Sequence, residues 1–216
     1  MSETNADEAT GKLVVGTFVT LDGVMQAPGA PDEDRDGGFE QGGWSVNYWD
    51  EQMGQIMDDQ MAETDALLLG RKTYEIFSAH WPNVNDDPTA EKLNNMPKYV
   101  ASRTLDGVEW NNSSLLTGDI AEAVAELKND RGDTIVVQGS QNLIQSLLAH
   151  RLIDEFWLWI FPVVAGDGKR LFGDGTIPAA LDLRTVETSS TGVQMLRYER
   201  SGDIDRGSFA LDDVPE

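Results

Sequence analysis

Residues 65–78, with the sequence DALLLGRKTYEIFS, decide the fold of this chain. The apolar run from Asp65 to Gly70 is typical of a short buried strand, and it passes without a linker into a helical stretch. The same arrangement returns at residues 134–150, where TIVVQ is followed by a glycine and an amphipathic helix. Strands that alternate with helices in this way predict a mainly parallel sheet with helices on its faces.

The remaining segments fit the same plan. A strand over residues 156–164 is too apolar for a free edge, so we expect it to be central or to lie at a dimer interface. Two closing strands come as a run, which favours an antiparallel edge. Further strands are predicted at residues 12–21, 98–102, 114–117, 181–189 and 192–199, and further helices at residues 46–63 and after Asp119.

The chain of 216 residues has no linker that would divide it. We expect one domain over residues 12–200, a disordered acidic tail at residues 1–11 and an acidic C-terminal tail at residues 201–216. A loop rich in Gly, Pro and Asp, residues 25–43, is long enough to be functional or mobile.

The composition excludes several classes of protein. A net charge of −22 repels nucleic-acid phosphates and anionic lipids, so neither partner is expected. The sequence has no long apolar run and no signal peptide, which favours the cytoplasm. The sequence has no cysteine, so neither a disulfide nor a thiolate metal site is possible. Its two histidines lie far apart in the sequence, and no metal site is predicted. A cation site made only of carboxylates is the alternative that stays open.

The charge pattern also indicates adaptation to high salt. Carboxylates are spread over the whole chain, and only six of the 16 basic residues are lysine. Screening at high ionic strength would remove the self-repulsion of such a surface. The alternative is an ordinary acidic cytosolic protein.

Three strand-to-helix junctions carry residues suited to a phosphorylated ligand, because helix N-termini beyond the carboxyl ends of strands present free N–H groups. The first is Gly70-Arg71-Lys72-Thr73. Its glycine allows close approach, its threonine can bind a phosphate, and its two cations are disfavoured at a helix start unless an anion is present. The alternative is a solvated helix start packed against acidic neighbours.

The second and third junctions have similar chemistry. Ser102 and Arg103 follow a strand, and their hydroxyl and guanidinium suit a phosphate monoester, although such pairs are common in loops. The third junction, Gly139-Ser140-Gln141-Asn142-Leu143, can place a pyrophosphate at a helix N-terminus. The alternative there is an ordinary turn capped by Ser140.

Other motifs are weaker. No GxGxxG fingerprint is present, and the glycine pair at residues 166–168 is interpreted as a tight loop between strands. Trp44, Tyr48 and Trp49 are interpreted as core and loop anchors, since aromatic side chains at helical spacing usually pack. The alternative is that they wall a flat heteroaromatic substrate.

Taken together, the junctions resemble the dihydrofolate reductase superfamily, and in particular the reductase domain of the bifunctional riboflavin-biosynthesis deaminase/reductase. The resemblance implies a three-layer α/β/α fold with a central mixed, mostly parallel sheet, NADPH across the carboxyl edge of the sheet, and a homodimer. The segments that match, in the family's order, are TLDG (20–23), LGRKTY (69–74), QGSQNL (138–143), LIDE (152–155) and PVVAGDGKRLF (162–172).

Carried over residue by residue, the resemblance implies three sets of contacts with the cofactor. Gly70, Arg71 and Thr73 would hold the phosphates and the adenosine ribose. Ser102 and Arg103 would meet the 2′-phosphate, and residues 139–143 would carry the pyrophosphate.

Asp22 is the candidate catalytic residue, because the resemblance places Asp22-Gly23 where the family's first loop approaches nicotinamide and substrate. Its carboxylate would orient the substrate or relay a proton. The alternative is that Asp-Gly only forms the turn that ends the strand.

The sequence also departs from the family pattern. The usual Gly-Gly is Gly139-Ser140, and a zinc-binding deaminase half has no counterpart. The main hypothesis is an NADPH-dependent reductase of a small pterin-, pyrimidine- or flavin-precursor-like heterocycle. One alternative is a non-catalytic nucleotide-binding module, which would bind NADPH but turn over no substrate. The other is a structural protein with an empty pocket, which would not bind NADPH.

Overall fold

The computed structural model describes residues 11–209, whose centre is an eight-stranded sheet. Along the chain the strands are β1 (Lys12–Thr20), β2 (Ala66–Gly70), β3 (Lys98–Ala101), β4 (Ser113–Leu116), β5 (Thr134–Gln138), β6 (Glu155–Phe161), β7 (Ala180–Thr188) and β8 (Gln194–Gly202). Their spatial order is β4-β3-β2-β5-β1-β6-β8-β7. Strands β1 to β6 are parallel to one another, and β8 pairs antiparallel with both β6 and β7. The mixed, mostly parallel sheet is therefore confirmed.

The helices cover both faces of this sheet. They are α1 (Glu51–Glu63), α2 (Arg71–His80), α3 (Pro88–Asn95), α4 (Ile120–Arg131) and α5 (Gln141–Ala149). Successive residues of a strand point to opposite faces, so Leu13 packs in one core cluster and Val14 in another. The first cluster includes Ile144 of α5, and the second includes Met61 of α1. The three-layer arrangement follows from these two clusters.

Strand β6 lies inside the sheet, between β1 and β8. Of its seven residues, all but Ile160 are buried. The predicted central position of this apolar strand is confirmed.

Two helix predictions need correction. The predicted helix over residues 46–63 is interrupted, because the backbone is extended at Trp49 and Asp50. Asp50 caps α1 instead, accepting a hydrogen bond from the Met53 amide at 2.9 Å. Helix α3 was not predicted, although Asp87 followed by Pro88 is a typical helix start.

The tails fall partly outside the described residues. Residues 1–10 and 210–216, which were predicted as acidic tails, lie there. Gly11 is packed rather than part of a tail, because its amide donates to the carbonyl of Lys128 at 2.7 Å. At the other end β8 continues to Gly202, beyond the predicted end of the domain.

Within residues 11–209, no helix is long and apolar enough to cross a membrane. The same residues contain no group of three or more His, Cys, Asp or Glu side chains arranged to hold a metal ion.

Candidate functional site

A cleft of about 1100 Å³ opens at the carboxyl ends of the parallel strands. The junctions that follow β3, β2 and β5 meet there because these strands are neighbours in the sheet. All ten residues predicted to bind a cofactor line this cleft: Gly70, Arg71, Thr73, Ser102, Arg103, Gly139, Ser140, Gln141, Asn142 and Leu143. Their role in binding stays a prediction.

Two glycines allow the first and third junctions to pack against each other. A Cβ atom on Gly70 would lie 2.3 Å from Ser140 Oγ, and one on Gly139 would lie 2.8 Å from Thr73 Oγ1. Gly139 also has a positive φ of 68°, which L side chains rarely adopt. The hydroxyls of Thr73 and Ser140 are 2.8 Å apart and form a hydrogen bond. The N-termini of α2 and α5 are therefore held side by side.

These two helix starts differ from the other three. Asp50, Asp87 and Asp119 cap α1, α3 and α4, and each aspartate accepts hydrogen bonds from first-turn amides. Gly70 and Ser140 make no side-chain hydrogen bond that caps α2 or α5. The amides at the start of α2 and α5 therefore keep the partial positive charge of a helix N-terminus, available to an anion.

The cations near these helix starts are exposed. Arg71 forms an ion pair with Glu75 one turn along α2, at 3.0 Å. Arg103, after β3, has no ion-pair partner among residues 11–209. Ser102 shapes its own loop, since its Oγ accepts from the amides of Thr104 and Leu105, both at 3.1 Å.

A cluster of two lysines and two aspartates fastens the long loop between β1 and α1 beside the cleft. Asp34 accepts from Lys72 at 3.0 Å and from Lys169 at 2.5 Å. Asp36 pairs with the same two lysines, at 3.0 Å for Lys169. Behind them the buried Gln26 donates to the carbonyls of Asp34 and Asp36, both at 3.0 Å.

The charges of this cluster support one another. Burial alone would raise the pKa of Asp34, but the hydrogen bonds from Lys169 and Lys72 outweigh it and lower that pKa. Burial would likewise lower the pKa of Lys72, and its bonds to Asp36 and Asp34 raise it instead. The ion pairs therefore favour the ionised forms of Asp34 and Lys72.

Aromatic side chains form another wall of the cleft. Trp49 stacks on Trp159, with ring centroids 5.8 Å apart and an interplanar angle of 15°. Phe18 contacts both rings, at 6.3 and 5.2 Å. Trp49 is 47% exposed and lines the cleft together with Phe18 and Trp159.

The three aromatic residues Trp44, Tyr48 and Trp49 therefore have two different positions, two in the core and one at the cleft. Trp44 and Tyr48 pack edge-on against Phe161, at 5.2 and 5.9 Å, as the core interpretation predicts. Trp49 instead reaches the cleft, because the backbone is extended at this residue.

One face of α1 continues this wall and was not predicted to be part of the site. Gly54, Met57, Asp58 and Met61 line the cleft, and their spacing places them on one side of a helix. The sequence predicted a helix over this segment, but no local pattern in it showed that one side of the helix borders a cavity.

Two polar groups of α1 are available to a ligand. Gln60 Oε1 accepts from the indole of Trp159 at 3.2 Å, and since an indole only donates, Nε2 of Gln60 remains a donor. Asp58 is exposed and has no hydrogen bond or ion pair with another residue in the range 11–209.

The structure does not bring Asp22 into the cleft. Its carboxylate accepts from Thr20 Oγ1 at 2.5 Å and from the amides of Ala165 and Gly166 at 3.1 and 2.8 Å. The hydrogen bond from Thr20, followed by those amides, lowers the pKa of Asp22 to about 2 despite some desolvation. Asp22 therefore ties the end of β1 to the loop after β6, and it does not line the cavity.

The chain matches one known protein family over most of its length. Residues 11–195 match the RibD C-terminal domain family. The protein YyaP of Bacillus subtilis is 32% identical over 196 residues, which cover 88% of this chain and 96% of that protein.

Solved structures share the fold at low sequence identity. A protein from Shewanella sp. PV-4, assigned by name to riboflavin biosynthesis, has a TM-score of 0.62 at 22% identity and covers 88% of this chain and 99% of that one. Dihydrofolate reductase from Enterococcus faecalis, complexed with NADP(H), has a TM-score of 0.56 at 12% identity, covering 89% of this chain and 98% of that one.

A third structure is longer than this chain. The Thermotoga maritima diaminohydroxyphosphoribosylaminopyrimidine deaminase/5-amino-6-(5-phosphoribosylamino)uracil reductase has a TM-score of 0.57 at 14% identity, and the match covers 88% of this chain and 57% of that one. These likenesses confirm the dihydrofolate reductase-like fold.

Proposed function

This chain belongs to the RibD C-terminal domain family, and we propose that it is an NADPH-dependent reductase of a small heterocyclic substrate. The substrate class is pterin-, pyrimidine- or flavin-precursor-like. A cytoplasmic location, a homodimer and adaptation to high salt stay predictions from the sequence.

The observation that carries the proposal is the pair of uncapped helix N-termini at the Gly70 and Gly139 junctions. A pyrophosphate needs several N–H donors and a positive potential, and two adjacent helix starts supply both. An aspartate cap, as on the other three helices, would repel such a ligand. The tight Gly70–Ser140 contact leaves no room for a side chain between the two starts, so the donors can converge.

The neighbouring junction fits the rest of a phosphorylated dinucleotide. Arg103 carries a guanidinium without an ion-pair partner among the described residues, and a guanidinium binds a phosphate monoester through paired hydrogen bonds. Arg71 would add a second cation by exchanging its solvated pair with Glu75 for a phosphate. This is the basis for preferring NADPH to NADH.

The far end of the cleft suits the reacting rings. Strand β1 pairs with β5 only as far as Gly16, while its pairing with β6 continues to Thr20. Beyond Gly16, the edge of β1 that faces β5 is therefore free, and Thr17 and Phe18 line the cleft. A bound nicotinamide would supply a hydride there. The aromatic wall would orient the acceptor, and the fastened loop would restrict the access of water.

We do not propose Asp22 as the donor of the proton that accompanies hydride transfer. Its carboxylate is engaged by four groups and is ionised at neutral pH. A proton donor must lie within hydrogen-bond reach of the acceptor, directly or through one water molecule.

Fluorescence titration with NADPH and NADH tests the proposal. Arg103→Gln should weaken NADPH binding by about tenfold to a hundredfold and leave NADH binding nearly unchanged, since a hydrogen bond to a charged group contributes about 1.5–3 kcal/mol. Arg184→Gln, an exposed arginine on β7 outside the cleft, is the matched control because it removes the same charge.

Oxidation of NADPH in the presence of pterins and aminopyrimidines then separates a reductase from a nucleotide-binding module. No NADPH binding by the folded parent would overturn the proposal. Binding without turnover of any heterocycle would leave the binding module.

A further inference from the structure

We propose that the substrate of this reductase is a flat heterocycle that carries no phosphate group and is neutral or positively charged. The inference rests on the proposed function, in which NADPH occupies the part of the cleft at the ends of β3, β2 and β5. The substrate half is the remainder, walled by Phe18, Trp49, Asp58, Gln60 and Trp159.

The two arginines of the cleft lie away from this substrate half. Arg103 follows β3 and Arg71 follows β2, whereas Trp159 belongs to β6. In the order β3-β2-β5-β1-β6, four strand spacings of roughly 4.8 Å separate β3 from β6, or about 19 Å. Both arginines are thus at the end proposed for the 2′-phosphate and ribose of the cofactor.

The two lysines that line the cleft are already compensated. Lys72 and Lys169 share Asp34 and Asp36, so the cluster of four has no net charge. A substrate phosphate would have to displace carboxylates that also fasten the loop. Such a site would offer a phosphate little gain over water.

Among the residues that the structure describes, Arg71, Lys72, Arg103 and Lys169 are the only lysines and arginines that line the cleft. Arg35, on the same loop, is exposed and does not line the cleft. Arg170 donates to carbonyl groups of Asp22 and Gly166 and pairs with the Asp22 carboxylate, outside the cavity. The sequence at residues 1–10 and 210–216 contains no Lys, Arg or His.

Carboxylates are present instead. Asp58 lines the substrate half and has no partner among the described residues, and Glu33 lines the cleft from the loop. Burial raises the pKa of Glu33, whose Oε2 accepts from the amides of Gly29 and Ala30 at 2.6 and 3.1 Å. A phosphate dianion near Asp58 would be repelled, whereas a ring N–H or a protonated ring nitrogen would be attracted.

The remaining groups match an aromatic ring with both donors and acceptors. Trp49 is half-exposed and offers indole surface for contact with a ring. Gln60 Nε2 can donate to a ring carbonyl or nitrogen, and Asp58 can accept from a ring N–H or amino group. This chemistry differs from that needed for the phosphoribosylamino-uracil in the name of the Thermotoga protein, whose phosphate requires a cation.

Matched ligand pairs test the inference. Aminopyrimidines and pterins, each with and without a ribose phosphate, would be titrated calorimetrically into protein saturated with NADP⁺, at the lowest salt concentration that keeps the parent folded. We expect the phosphate-free member of a pair to bind about tenfold more tightly or better, the ratio expected when one like-charge repulsion is removed.

A charge reversal sharpens the test. Asp58→Lys should shift the preference toward the phosphorylated member by about tenfold or more. Asp59→Lys is the matched control, because the adjacent carboxylate does not line the cleft and the net change in charge is the same. The control should keep the preference of the parent.

The outcomes separate the inference from the proposed function. Tighter binding of the phosphorylated member by the parent, or no binding of any phosphate-free heterocycle, overturns the inference while NADPH binding still stands. An equal shift in Asp58→Lys and Asp59→Lys also overturns it, because net charge rather than the cleft would then set the preference. Failure of the parent to bind NADPH or NADP⁺ overturns the proposed function itself.

Discussion

At the amino end of the parallel strands, lysines are held by protein acceptors, whereas at the carboxyl end arginines are left to solvent. Lys12 pairs with Glu155 at 2.7 Å, and Lys128 pairs with Asp154 at 2.6 Å. Lys98, the first residue of β3, is 0% exposed and donates to three carbonyls. At the opposite end Arg71 has only a solvated pair within its own helix, and Arg103 has no ion-pair partner within residues 11–209.

The difference separates charges that stabilise the fold from charges available to a ligand. Lys98 joins the end of α3 to the sheet, and burial lowers its pKa to about 8. At the carboxyl end, the amides at the starts of α2 and α5 have no side-chain cap, and Arg103 has no ion-pair partner among the described residues. This arrangement is unfavourable for folding but favourable for binding an anion. Changes at the amino end should therefore alter stability, and changes at the carboxyl end should alter affinity.

The largest effect is expected for Lys98→Met. In the parent, Lys98 Nζ lies 2.7 Å from the carbonyl oxygen of Leu93 and 2.8 Å from that of Met96, and the change leaves both carbonyls without this donor. It also removes a cation that lies 4.3 Å from the ring centroid of Trp110. Since each unpaired buried polar group costs about 1–3 kcal/mol, the free energy of unfolding should fall by about 3 kcal/mol.

Chemical denaturation measures this loss. Lys92→Met is the control, because Lys92 also donates to carbonyls but lies at a partly exposed site. The free energy of unfolding should therefore fall less in Lys92→Met than in Lys98→Met. A Lys98→Met protein as stable as the parent would contradict the assigned role. NADPH affinity should stay unchanged in both variants.

A change of intermediate size is expected for Gln141→Glu, at the first residue of α5. A carboxylate there should raise the free energy of unfolding by about 0.5 kcal/mol through the helix dipole. The same carboxylate should weaken NADPH binding by about tenfold, because it repels a pyrophosphate.

Opposite signs for stability and affinity are the distinctive result for Gln141→Glu. Gln55→Glu, on the exposed side of α1 and outside the cleft, adds the same charge. If both variants bind NADPH equally weakly, the general charge of the protein is responsible and the helix start is not.

The smallest effect is expected for Asp22→Asn, and it depends on pH. The pKa of Asp22 is about 2 in the folded protein against an ordinary 3.8, so folding favours the ionised carboxylate. That contribution is fully present above pH 3.8 and is lost as the pH falls toward 2. The free energy of unfolding of the parent should therefore fall more steeply over this interval than that of Asp22→Asn.

At neutral pH the Asp22→Asn change should reduce the free energy of unfolding by about 1 kcal/mol, the usual contribution of a hydrogen bond. Asp32→Asn is the control, because it removes the same charge from an exposed carboxylate of the same loop. A large loss of turnover in Asp22→Asn with unchanged stability would restore the catalytic interpretation.

Much of the fold could be predicted because its signals are local. The apolar strands that end at Gly70 and Gln138 and pass directly into amphipathic helices specify parallel crossovers. The signal for the start of α3 is equally local, since Asp87-Pro88 is a recognisable helix N-terminus.

The parts of the site that could not be predicted depend on contacts between distant residues. Asp34 and Lys169 are 135 positions apart, and no local pattern links them. Trp49 shares helical spacing with Met53, yet the extended backbone at Trp49 and Asp50 turns its ring toward Trp159. The sheet order β3-β2-β5, which brings three junctions into one cleft, is likewise a property of the assembled sheet.

The stacked indoles of Trp49 and Trp159 have an optical consequence. Two indoles 5.8 Å apart and nearly parallel interact in their excited states, so their near-ultraviolet circular dichroism depends on how they are arranged. Trp159 is fixed in the sheet, whereas Trp49 lies on the segment that borders the cleft. We therefore expect the near-ultraviolet circular dichroism of this indole pair to change when a ligand enters the cleft beside Trp49, which would make a dye unnecessary.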